Sequence, residues 1–82
     1  MDKIDELRKK YAVYGYPLTE DFEFIAEAYE KYLSSNKYVD YGYLKYRIGV
    51  FVYTLKSYLS CGVINSAKFD EIKNEVWEII LW

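Results

Sequence analysis

Glu20, Glu23, Glu27 and Glu30 recur at intervals of three and four residues, which sets four carboxylates along one side of a helix. Such a row can hold a metal ion in a helical bundle when it faces inward, usually with histidine beside it. This sequence has no histidine, so the commonest metal ligand and the commonest general base are both missing. The apolar residues Phe22, Ile25, Ala26, Tyr29 and Leu33 fall opposite the acids, which therefore read as a solvated face. The single thiol, Cys61, lacks a histidine to activate it and follows a predicted helix, whose negative pole disfavours a reactive anion there. The surroundings of Gly49 and Gly62 match neither the dinucleotide-binding nor the phosphate-loop spacing. The expectation is a non-enzymatic protein with no catalytic residue, no metal and no cofactor.

Binding chemistry is better represented. Lys9, Lys10, Lys45, Arg47 and Lys56 with interleaved tyrosines could touch phosphates and stack bases, but 13 acidic residues and a net charge of −2 oppose it. No nucleic acid is expected as a partner; steeply salt-dependent retention on DNA or RNA would be its signature. Protein is the partner class that remains. Tyr46, Val50 and Tyr53 share one face of a predicted helix, Trp77 borders another helix's apolar stripe, and Leu81 and Trp82 end the sequence. Exposed groups of this kind mark interfaces, so these six are the candidate partner-binding residues. A long central helix could instead bury both of its faces, and that alternative stays open. The 11 tyrosines likewise admit two origins, an adhesive surface or AT-rich codons.

The stretch that must position three of these residues is ambiguous. In YLKYRIGVFVYTLKSYL, residues 43–59, the centre is β-branched and aromatic as in a buried strand. Wound at about 100° per residue, Leu44, Ile48, Phe51, Leu55, Tyr58 and Leu59 gather on one side with Val52 at the edge. Tyr46, Val50 and Tyr53 gather on the other. A strand would need cover on both faces, which 82 residues can hardly supply, and no hairpin turn follows. Helix is the reading, with Gly49 costing about 1 kcal/mol and leaving room for another backbone.

Three more helices accompany it. Asp2 caps the first, with Asp5 in capping-box position; Ile4, Leu7, Tyr11 and Tyr14 form its stripe, and Gly15 and Pro17 end it. Thr19 caps the second, which closes at Ser34-Ser35-Asn36. Ser66 caps the fourth, whose stripe is Phe69, Ile72, Val76, Ile79 and Ile80. Glu75 and Glu78 sit unfavourably toward its negative pole. The fold expected is all-α, an antiparallel four-helix bundle over residues 1–82 as one domain. The acids of the second helix would face Lys45, Arg47 and Lys56 of the third. No signal peptide or membrane span is evident, and one unpaired cysteine suits a reducing cytoplasm.

From Phe22 to Ile80 the layout resembles the cytoplasmic immunity proteins against class IIa (pediocin-like) bacteriocins. The resemblance lies in FIAEAYEKYLSSNKY, in YRIGVFVYTLKSYLSCG, and in the link VINS into AKFDEIKNEV. It covers about two thirds of the sequence and consists of helix lengths, aromatic placement and linker style. It implies an antiparallel four-helix bundle acting from inside the membrane, with peripheral membrane association. The implied partner is the bacteriocin-bound mannose phosphotransferase permease, whose pore is blocked, and specificity would fall to Val76–Trp82. The alternative reading is a small phage or mobile-element protein that binds and inhibits a host protein.

Overall fold

A computed structural model describes residues 2–35 and 38–82. Among them are four α-helices: α1 (Lys3–Tyr11), α2 (Leu18–Ser35), α3 (Tyr38–Ser60) and α4 (Ser66–Trp77). They pack as an antiparallel four-helix bundle in which α2 and α3 form the most extensive pair and α4 lies against α3. Residues 43–59 are helical throughout, so the ambiguous stretch forms the bundle's central rod. The expected connection at Asn36 lies outside the described residues.

Local chemistry explains the element ends. Asp2 is extended and accepts the Ile4 backbone N–H at 2.8 Å, capping α1 as expected. Asp5 does not complete a capping box; its carboxylate pairs with Arg8 one turn on. A 3-10 turn, Ala12–Tyr14, follows, and Gly15 turns the chain at φ 66°, a region that favours glycine. Its carbonyl then accepts the Thr19 N–H at 3.1 Å, and the Pro17 carbonyl accepts that of Asp21. Helix α2 thus begins at Leu18, and Thr19, expected as its cap, lies inside the first turn. At the end of α3 the N–H groups of Gly62 and Val63 bond the carbonyls of Leu59 and Tyr58, a Schellman closure with Gly62 at φ 78°. Asn65 caps α4 by accepting the Lys68 N–H at 2.8 Å, which displaces Ser66 from that role.

The core takes one face of each helix. Leu44, Ile48, Phe51 and Leu55 of α3 are fully buried against Phe22 and Ile25 of α2, Ile72 and Val76 of α4, and Ile4 and Tyr11 of α1. Tyr11, Phe22 and Phe51 meet edge-on or tilted, with centroids 5.3–6.1 Å apart. Leu18 and Ala28 are also buried, although the apolar stripe of α2 did not include them.

Leu33 departs from its expected core position and is 58% exposed. Helix α1 has 9 residues against 18 in α2, so it spans about half the length and ends before reaching Leu33. After Trp77 the chain tightens into a 3-10 turn, Glu78–Leu81, which places Ile79 in the core.

Candidate protein-binding face

Helix α3 positions the site because its two faces differ. Opposite the buried Leu44–Ile48–Phe51–Leu55 stripe, Tyr43, Tyr46, Val50 and Tyr53 recur at intervals of three and four and form an outward ridge. Tyr46 is 61% and Tyr53 75% exposed, while Val50 is half-buried between them. Tyr43 stacks on Tyr46, with centroids 6.4 Å apart and planes inclined at 28°. The Arg47 guanidinium lies 4.1 Å from the Phe24 ring of α2 and 5.4 and 5.6 Å from the rings of Tyr43 and Tyr46. Its Nε also donates to Tyr43 Oη at 3.1 Å. Three rings thus hold one cation at the surface; such contacts contribute about 0.5–1 kcal/mol each when exposed.

The ridge runs into an open cleft of about 530 Å³ walled by Tyr14, Tyr16, Pro17, Tyr53, Tyr58 and Val63. Its floor is fixed by hydrogen bonds between elements. Tyr58 Oη donates to the Tyr14 carbonyl at 3.2 Å and accepts the Leu18 N–H at 3.4 Å. Thr54 Oγ1 donates to the Asp21 carboxylate. Tyr14 and Tyr58 meet edge-on at 6.1 Å. Ridge and cleft together offer aromatic faces, phenol hydroxyls and one immobilised guanidinium.

The expected charge pairing of α2 with α3 takes another form. The Glu23 carboxylate pairs with Arg8 of α1 at 2.6 Å, and Arg47 and Lys45 of α3 lie over rings, Lys45 over Tyr41 at 5.6 Å. The second concavity, about 570 Å³ between α1 and α2, is accordingly acidic: Asp2, Asp5, Glu23, Glu27 and Glu30 line it with Arg8. Glu75, expected to be unfavourable near the α4 C-terminus, is balanced by α1. Lys10 pairs with it, and Tyr11 Oη donates to it at 2.8 Å.

The six sequence-derived residues do not converge. Tyr46, Val50 and Tyr53 share the ridge. Trp77 is half-buried against the core, and Leu81 is 79% exposed beyond it. Trp82, expected to project, folds back: its ring meets Tyr29 edge-on at 5.6 Å, and the Lys3 ammonium lies 5.3 Å from its centroid. Phe24 and Tyr29 are about 140° apart around α2, so the terminal aromatics sit on a different side from the ridge. Sequence reasoning missed Tyr43, Phe24 and Tyr16 as parts of the surface, and placed Arg47 against phosphates or the acids of α2 rather than among rings. Tyr43 was within reach, three residues before Tyr46 on the same face. Tyr16 lies in a turn with no periodicity to reveal it.

Comparison with family models, with curated proteins and with solved structures finds no match to this chain. Among the described residues no helix is long and apolar enough to cross a membrane, and no group of acidic or cysteine side chains is arranged to hold a metal ion.

Proposed function

We propose that this protein acts without catalysis, as an immunity protein that docks on the cytoplasmic face of a bacteriocin-bound membrane permease. The observation that carries the binding reading is the ridge Tyr43–Tyr46–Val50–Tyr53, left outward by a helix whose other face closes the core. Tyrosine and arginine are the side chains that most often dominate contact energy, and here Tyr43 and Tyr46 hold Arg47 in place before any partner arrives. The bundle architecture and the likeness of Phe22–Ile80 to class IIa immunity proteins support the narrower assignment. Expression in a class IIa-sensitive strain tests it. Protection should appear with the wild type and vanish with Tyr46→Asp/Tyr53→Asp, whose helical content stays unchanged. Unchanged sensitivity of wild-type cells across a peptide panel sets the immunity reading aside.

The same ridge also serves the alternative, a phage or mobile-element protein that occludes a soluble host protein. Contact through rings and one guanidinium requires no membrane-embedded partner. A stoichiometric soluble partner, lost with Tyr53→Asp, would favour that reading.

A further inference from the structure

We infer that the segment docking on α3 is an acidic amphipathic helix, with carboxylates flanking the apolar groups that meet the tyrosines. This rests on the reading of the ridge as a binding face and adds the chemistry of its occupant. The charge pattern carries it. From residue 41 to residue 69 the chain has no carboxylate, while Lys45, Arg47 and Lys56 all lie on α3. At about 100° per residue, Arg47 falls on one flank of the ridge and Lys45 and Lys56 on the other. Asp21 of α2, which reaches α3 beside the cleft, is engaged by the Thr54 hydroxyl.

The opposite charge is gathered elsewhere. Glu20, Asp21, Glu23, Glu27 and Glu30 follow one another on α2 with no lysine or arginine among them, and Glu23, Glu27 and Glu30 line the groove toward α1. A cationic partner is therefore drawn away from the ridge, and an anionic one is oriented onto it.

Shape agrees with a helix as occupant. Gly42 and Gly49 lie between the tyrosines and the two lysines, and a Cβ at either would meet nothing within 4 Å. They leave a shallow lane seven residues long beside the aromatic ridge, along which a second helix can lie closely. A nucleic acid fits less well. Three cations, one of them already enclosed by rings, neutralise few phosphates, and the acidic α2 side repels a long polyanion.

The test uses the full chain with two synthetic 18-residue amphipathic helices that share a Leu/Phe face and carry either Glu or Lys on its flanks, and with single-stranded oligo(dT). Binding is read by fluorescence anisotropy, and the site by NMR shifts of the α3 tyrosines. The Glu peptide should bind at least about tenfold more tightly than the Lys peptide and weaken as salt rises. Lys45→Ala/Lys56→Ala and Arg47→Gln should each reduce its affinity several-fold with the helical circular dichroism spectrum unchanged. Arg47→Gln should also lower Tm, since it gives up the contacts with Phe24, Tyr43 and Tyr46, and Lys73→Ala should have no effect on binding. Equal binding of both peptides at the ridge leaves the binding face standing and overturns the acidic partner. Preference for the Lys peptide, tighter binding of oligo(dT), or binding of neither peptide also overturns it. Loss of protection by the Tyr46→Asp/Tyr53→Asp variant tests the face itself, independently of these peptides.

Discussion

Tyr11 shows how one side chain joins packing to polarity. Its ring is 1% exposed between Phe22 and Phe51, yet its hydroxyl reaches Glu75 on α4 at 2.8 Å. Burial first, and the Glu75 carboxylate second, push its pKa well above the ordinary 10.0. A pKa raised in the folded state gives stability that is complete below the unfolded value and is lost as pH rises beyond it. Unfolding in urea should therefore become easier from about pH 10 upward, as the unfolded tyrosine ionises and the folded one does not. Tyr11→Phe should lose about 1–2 kcal/mol at neutral pH with the hydrogen bond and should soften that alkaline decline. Parallel declines in the two proteins would remove Tyr11 as its source. Lys10, raised by the same Glu75, contributes with the same sign in both. Gly49 makes a simpler case. Its helical position and open surroundings predict that Gly49→Ala gains about 0.5–1 kcal/mol, measured by chemical denaturation. A loss there would show that something in the molecule approaches that backbone.

Among the elements, helix interiors were legible and helix ends less so. The period of Leu44, Ile48, Phe51 and Leu55 identified α3 despite its strand-like centre, because four buried positions on one face outweigh local propensity. Ends depend on which of several adjacent polar groups reaches a free N–H. Asn65 and Ser66 both suit a cap, and only the extended backbone at Asn65 decides between them. Asn65→Ala should therefore lower stability by about 1 kcal/mol, whereas Ser66→Ala should change it by a few tenths; thermal unfolding separates the two. Equal losses would place the cap elsewhere. The end of the chain escaped prediction for a different reason. The 3-10 turn after Trp77 advances each residue by about 120° rather than 100°, so a helical wheel carried to Trp82 points it the wrong way. Leu33 was misplaced because the stripe of α2 was read without the length of α1, the helix that would have to cover it.

At the scale of the molecule, charge and aromatic surface are distributed separately. Acids line the α1–α2 groove, while rings and cations occupy the outer side of α3. Half of the candidate site was readable, since Tyr46, Val50 and Tyr53 follow from periodicity alone. The cleft was not, since Tyr16 and Pro17 reach it through a turn, and Phe24 reaches the ridge from a neighbouring helix. Everything proposed for function requires that α3 close the core with one face and leave the other unused by the fold. Equilibrium denaturation of Phe51→Ala and Tyr53→Ala, measured side by side, tests this most directly. Phe51, fully buried, should lose about 3–5 kcal/mol on truncation, and Tyr53, 75% exposed, should stay within about 0.5 kcal/mol of wild type. Comparable, severe losses in both variants would mean that the tyrosine side is internal and that no docking face exists there.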